Sequence, residues 1–542
     1  MAEHSPSQII ADSADCATRS AQLALLDRSQ PLDLAIVGGG IHGAVLARLA
    51  AASGFSVALL ERADFGGATS SRSSKMAHGG LRYLEMLDFQ QVFEGIKARD
   101  DLFEHVGHLV KPQEFLIPVP AGRHVFRWKL SLGLFLYDLM LKRRDRRHRW
   151  IPRAKLAFPG FNSSRADLMG CFAYTDGIMS DTRLVIENIL GARRLGASCL
   201  NYCEVLSRVR SLDGTSIVSA RDTLSGRSIS LQARLVVNCS GPWVSELAQQ
   251  LAAQPPRLRF SRGAHIVFAK PWTGPSLFLP MEGKARYYFV WPHPAGTLVG
   301  TTEREVDALP LDPLPSKDEI DEILSRLERD IPDAGLRREN ACYCYAGIRT
   351  LPLRSSSSES SALSRKHIWL ASDGVLSLSG GKYTTAWWTA VEGLHEAARL
   401  LGRELDMEAL QSNESLKKLP GSMSPDEELR VQELLRGSSA SDQLRLTSRY
   451  GKRLLESCCE LASTSSDRQL ALEAEIALQT EQAETLEDLM RRRLELEMMP
   501  GHGIHHLPML RDVFRRLRPE ADFDAQAVSY RERMELIDQL LR

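Results

Sequence analysis

The turn Gly38-Gly39-Gly40-Ile41-His42-Gly43 constrains this 542-residue chain more than any other segment. Its spacing is G-x-G-x-x-G. An apolar run, Leu34–Val37, precedes it and reads as a buried parallel strand. The Ala44–Ala52 stretch that follows is helical in composition, and Gly54 ends it. A second strand, Ser56–Leu60, closes on Glu61. Glycines at Gly38, Gly40 and Gly43 permit a tight turn and let backbone approach a pyrophosphate at the helix N-terminus. An acidic residue at the end of the next strand is placed to meet a ribose hydroxyl, so this βαβ unit predicts a dinucleotide site.

A chain this long predicts three or four folding units. Residues 1–30 read as a loose leader with a short helix near Ala21–Leu26. Residues 85–107 and 123–142 read as helices, the second ending in a basic cluster. Strand signals recur at Arg234–Cys239, Gly263–Phe268, Tyr287–Trp291, Thr297–Thr301 and Ile368–Ala371, the middle three suggesting an antiparallel sheet. Ser355–Ser361 reads as a surface loop. Beyond about residue 408 the chain is almost wholly helical in character, Gln469–Met498 included.

Lys+Arg and Asp+Glu are equal at 68 each, which gives no global field for gathering nucleic acid, and no nucleic-acid partner is expected. The nine cysteines include no C-x-x-C pair, which excludes the usual zinc and iron–sulfur spacings and fits reduced thiols facing the cytoplasm. His502, His505 and His506 have no acidic or thiol ligands at a recognisable spacing, so no metal is expected there. No stretch approaches the ~18 consecutive apolar residues of a membrane span.

A second motif, Gly66–Lys75 (GGATSSRSSK), leads into His78-Gly79-Gly80-Leu81-Arg82-Tyr83-Leu84. Small side chains there let amides and hydroxyls close around a cofactor. These two motifs, with NCSGPWV (238–244), RGAHIVF (262–268), GTTE (300–303), YAGIRTL (345–351), SGGKYTT (379–385) and AETLEDLMRRR (483–493), resemble the FAD-dependent glycerol-3-phosphate dehydrogenases of the aerobic bacterial and mitochondrial type. The blocks fall in the family's order over roughly residues 30–500.

The resemblance implies an α/β plus α architecture: a Rossmann-like FAD-binding domain, an inserted antiparallel-sheet substrate domain and a C-terminal helical domain. The expected boundaries are 31–110, 171–255 and 346–405 for the FAD domain, 111–170 for a helical cap, 256–345 for the substrate sheet and 406–542 for the helical domain. It implies FAD held by Gly38, Gly40, Gly43, Glu61, Thr69, Ser70, Ser71, Ser74, Lys75, Gly241, Gly381 and Lys382. It also implies glycerol 3-phosphate held by Arg82, Tyr83, Arg349 and Arg365, with His265, Arg349 and Lys382 at the reacting centre. Arginines suit a phosphate because the guanidinium fork meets two oxygens. A histidine can accept a hydroxyl proton near neutrality. Lys382 is expected at a helix start, contacting flavin or the substrate hydroxyl.

The sequence departs from the family pattern at Glu303 (usually Asp), at Thr350 (usually Pro) and at His42 (often Asn or Thr). These positions leave the choice of substrate open. The alternatives are a related flavin oxidase or dehydrogenase acting on another small hydroxy or amino compound, and a flavoprotein without turnover. The apolar stretch Leu130–Leu141, followed by Lys142, Arg143, Arg144, Arg146, Arg147, Arg149 and Arg153, fits either a membrane interface or a buried helix with a solvated basic end. Quinone reduction, which the resemblance implies, favours a peripheral position on the inner face of the membrane. Association into homo-oligomers is left open.

Overall fold

The computed structural model describes residues 18–26, 30–81, 83, 88–141, 146–158, 161–162, 166–281, 287–353, 367–464 and 466–542. Two large sheets organise the chain. The first has eight strands, with a parallel centre of Ser198–Leu200, Val57–Leu60, Leu32–Val37, Ser228–Asn238 and Val375–Ser379. The hairpin Cys203–Arg210/Ser216–Asp222 and the strand Ile368–Ser372 flank it in antiparallel pairing. The helix Ile41–Ala52 is buried almost all round, so it carries no amphipathic stripe. Its alanines let it pack closely against the helices Asp181–Arg194 and Ala386–Leu400.

The second sheet has ten strands. Leu258–Phe268, Tyr287–His293 and Gly296–Gly300 stand where the sequence placed them, as antiparallel neighbours. The sheet also reaches beyond residues 256–345. Val110–Pro120 and Leu168–Met179, expected in a cap and in the FAD domain, pair along eleven positions within it. Ala341–Pro352 lines the other flank of Leu258–Phe268. Val110–Pro120 contains Pro112, Pro118 and Pro120, which lack the N–H a central strand donates. The structure accommodates them because, among the described residues, the second edge of this strand is paired only at Phe115 and Leu116, in parallel with Ser276–Leu277. The sheet is therefore mixed.

The C-terminal region is helical, and its core is continuous with that of the second sheet: Leu486, Met490, Phe514 and Tyr530 share one cluster with Tyr343 and Tyr345. The long helical stretch expected over 469–498 is broken. A helix ends at Thr480, Gln482 takes a positive φ, and Leu489–Arg493 forms a π-helical turn. Buried charge drives the break. Glu481 accepts from Arg183 at 2.7 Å and from Arg453 at 3.0 Å, pairings that a continuous helix would not place there.

Candidate active site

A cavity of about 750 Å³ opens where the ends of the first sheet face the second sheet. That volume lies within the ~300–1,000 Å³ of small-molecule and cofactor sites. One wall is the glycine turn. Gly38 has a φ of +111°, and a Cβ there would land on the backbone of Cys239; a Cβ at Gly43 would land on the carbonyl of Gly38. Gly40 is different: it lines the cavity, and the nearest atom to an added Cβ is Ser70 Oγ at 3.1 Å. Space that only a missing side chain leaves open is what close approach of a pyrophosphate requires. Glu61 also lines the cavity. Its carboxylate accepts from Gly39 N at 2.7 Å and Ala63 N at 2.9 Å, so it braces the turn as well. Burial pushes its pKa upward.

The GGATSSRSSK segment forms a short 3₁₀ turn at Thr69–Ser71 that docks on the helix start, with Ser70 Oγ accepting from Ile41 N at 3.0 Å. Thr69, Ser70, Ser74 and, further along the chain, Gly241 and Gly381 line the cavity. Gly43, Ser71, Lys75 and Tyr83 stand behind the wall. Gly43 serves helix packing. Ser71 donates to Ala68 O at 3.3 Å. Lys75, placed at the cofactor by its motif, is buried in an ion pair with Asp181 at 2.6 Å. Tyr83 is buried behind Lys382, whose ammonium lies 3.9 Å from the ring centroid. Arg82 and Arg365 lie outside the described residues.

The other wall carries the polar chemistry. His265 sits on Leu258–Phe268 with Nε2 at 2.9 Å from Ser74 Oγ, its ring stacked on Tyr345 at 4.8 Å. Arg349, on the neighbouring strand, donates to Thr301 Oγ1 at 2.7 Å and to Thr302 O at 3.3 Å. It lies across Gly263, where a Cβ would collide with the guanidinium. Lys382 reaches the cavity from the loop after Val375–Ser379. The helix expected at Lys382 begins at Ala386, so the lysine is carried by a turn with positive φ at Gly380 and Gly381. The segment His78–Leu81 is held from below: Gly79 N donates to Asp176 at 2.8 Å, and Arg99 and Tyr137 bond the same carboxylate oxygen at 3.0 and 3.3 Å.

Among the cavity residues to which sequence reasoning gave no role at the site are His42, Arg62, Arg72 and Trp243. Arg72 and Trp243 lie inside motifs already recognised. Arg62 is stacked on Trp243 at 4.1 Å. His42 Nε2 is buried with no hydrogen-bond partner, and burial, with His367 nearby, lowers its pKa to about 4.

Among the described residues no group of three or more His, Cys, Asp or Glu side chains could hold a metal. His502 instead accepts from Tyr530 through its carbonyl at 2.8 Å, and its ring bonds Glu497 O and Asp538.

Burial, then the charges of Arg349 and Lys75, lowers the pKa of His265 to about 3. The ring is therefore neutral well below its usual range. Because the folded pKa lies under the unfolded value of ~6.5, the native state binds fewer protons than the unfolded chain below neutrality. Stability is then lost as pH falls from about 6.5 towards 3. His265→Gln is expected to lose less of its urea midpoint than the parent between pH 7 and pH 4.5. Parallel losses would show that His265 is not held neutral.

A glycine-lined dinucleotide cradle facing an arginine, a lysine and a neutral histidine across one cavity defines a flavin-type oxidoreductase. The profile of the family described as "FAD dependent oxidoreductase" matches residues 33–391. A D-erythritol 1-phosphate dehydrogenase of Brucella abortus is 34% identical over 375 residues, covering 67% of this chain and 73% of that protein. An aerobic glycerol-3-phosphate dehydrogenase of Staphylococcus saprophyticus is 31% identical over 363 residues, 66% of this chain and 65% of that one. The structure of a Bacillus halodurans glycerol-3-phosphate dehydrogenase complexed with FAD matches 97% of this chain and 98% of its own, with a TM-score of 0.74 at 20% identity. The chain belongs to the FAD-dependent oxidoreductase family, and FAD is its cofactor. The cavity fits that group through the open face at Gly40 and the unpartnered donors of Arg72 (Nε and Nη1) on its wall.

Proposed function

We propose that the protein oxidises a short-chain polyol phosphate, sn-glycerol 3-phosphate in the first instance, to the corresponding ketone, dihydroxyacetone phosphate. The observation that carries this reading is the convergence of Arg349, His265 and Lys382 on the cofactor cavity. FAD, when bound, supplies the two-electron acceptor. The residues of the chain do the rest. Arg349, anchored on Thr301 and Thr302, holds a phosphate dianion and orients the carbon chain. His265, kept neutral by burial, takes the hydroxyl proton at Nε2, which otherwise bonds Ser74 Oγ. A bound dianion next to Arg349 offsets the charge that disfavours imidazolium there. Lys382 adds positive charge near the developing alkoxide.

A second reading, oxidation of erythritol 1-phosphate, is favoured by the Brucella relative and by Thr350, which lines the cavity beside Arg349. Anaerobic bleaching of the flavin tests both. Glycerol 3-phosphate or erythritol 1-phosphate is expected to bleach it, and glycerol scarcely. Equal bleaching by glycerol and its phosphate ester would remove the phosphate clamp.

We further propose that the electrons leave to a quinone at a membrane surface. No described helix is long and apolar enough to cross a membrane. The helix His124–Leu139 nevertheless exposes Val125, Trp128, Leu132, Phe135 and Leu139, spaced three and four residues apart on one face. Trp128 is 77% exposed. The apolar stripe thus begins earlier than Leu130 and faces outward. Arg123 is the N-cap of this helix, Arg127 and Lys129 lie on it, and Arg147 and Arg149 follow it; Lys142–Asp145 lie outside the described residues. An apolar face among basic residues suits an anionic interface. Trp128→Gln with Phe135→Gln is expected to abolish most sedimentation with anionic vesicles while leaving dye-coupled activity intact. Undiminished sedimentation would exclude this helix as the contact.

A further inference from the structure

Between the strand Arg304–Val306 and the helix Lys317–Asp330 runs a strap containing Pro310, Pro313 and Pro315. Proline fixes φ and stiffens such a segment. Leu311, 68% exposed, lines the cofactor cavity, and Leu309–Leu311 and Pro313 border a crevice against Thr69, Arg72 and Trp243. The strap's ends are set by the two elements; its middle is fastened by Asp312. That carboxylate meets Arg72 at 2.6 Å, Arg533 at 2.7 Å and Arg491 at 3.3 Å.

The three arginines come from different places. Arg72 lies on the cavity wall, directly after the 3₁₀ turn that docks on the helix start at Ile41. It is buried, and its Nε and Nη1 have no hydrogen-bond partner. Arg491 and Arg533 belong to the C-terminal helical region. Arg491 sits in the π-helical turn Leu489–Arg493, a distortion that is frequent at functional sites. The same turn points Arg492 and Arg493 at Asp64, in the loop following Glu61, with Arg493 at 2.8 Å from both carboxylate oxygens. One turn of the C-terminal region therefore grips both the cofactor loop, through Asp64, and the strap, through Asp312.

We infer that Asp312 is a positioning residue for cofactor retention: it holds Arg72 as an anion-binding group on the cavity wall and ties the strap over that cavity to the C-terminal arginine turn. Removing its charge takes away the carboxylate that balances Arg72 against Arg491 and Arg533, which themselves keep Glu497. Repulsion from those two moves both Arg72 and the strap. The Asp312 side chain is 37% exposed, so the latch is open to screening by salt, whereas the fully buried Asp64 contact is not.

The test is the rate of FAD release from the purified holoenzyme, followed by flavin fluorescence after dilution at low and high salt. The parent is expected to release FAD faster as salt rises. Asp312→Asn is expected to release it at least tenfold faster at low salt and to show little further response to salt. Asp312→Glu should restore slow, salt-sensitive release, and the unfolding midpoint of the FAD-free protein should match the parent in both variants. Arg533→Gln, which removes one partner at the C-terminal side, should give an intermediate rate and guards against misfolding of the first variant. Release by Asp312→Asn at or below the parent's rate would overturn the proposal. So would faster release that keeps the parent's salt response and tracks a fall in the midpoint.

Discussion

Arg349→Ala is expected to lower kcat/KM for a polyol phosphate by ten- to a hundredfold while changing the rate with a neutral polyol far less. Loss of a charge-assisted contact costs about 1.5–3 kcal/mol, and about 1.4 kcal/mol is one order of magnitude. Arg349 is suited to such a contact because it lines the cavity and is anchored by donation to Thr301 Oγ1 and Thr302 O. Arg349→Lys should recover little, because an ammonium cannot reproduce the planar fork. The substitution carries a second readout. Arg349 is the first of the charges that depress His265, so its removal should raise the pKa of that histidine from about 3 towards its ordinary value. A variant that handles the phosphate ester as well as the parent would place the clamp elsewhere, and Thr350 and Glu303 would be the first residues to re-examine.

Gly40→Val is expected to yield folded but colourless protein. A Cβ there meets only Ser70 Oγ, at 3.1 Å, so the apo fold has little to lose, but a branched side chain fills the face the pyrophosphate needs. Gly43→Ala tests the opposite case. Its Cβ would land on the carbonyl of Gly38, forcing helix and strand apart at a cost of about 1–3 kcal/mol or more. The expected contrast is therefore loss of FAD with a retained apo unfolding midpoint for Gly40→Val, against a lowered midpoint for Gly43→Ala. Full flavin occupancy in Gly40→Val, measured by absorbance after desalting, would mean the cofactor lies elsewhere.

What could be read from the residues alone shares a physical basis. Gly38, Gly40 and Gly43 mark places where backbone conformation or close approach excludes a side chain, and such limits act over a few residues. The alternation and turn residues of Leu258–Gly300 likewise register locally. Tyr83, set behind Lys382 rather than at the cavity, could not be placed that way, because its position depends on Asp176 holding Gly79 from 97 residues away. Lys75 is a similar case: its motif points to the cofactor, and Asp181, 106 residues on, holds its ammonium.

By itself the sequence determined the nucleotide-binding unit and the cofactor class, and it pointed to several cavity residues, Glu61, Ser70, His265 and Lys382 among them, because each depends on residue type at short spacing. Tertiary structure alone decided which prolines sit on an unpaired strand edge, where the long C-terminal helix breaks, and that Asp64 and Asp312 receive arginines from one π-helical turn. Those outcomes rest on pairings across hundreds of residues (Arg493 lies 429 positions from Asp64). Burial and charge compensation choose the partners there, and no local pattern records that choice.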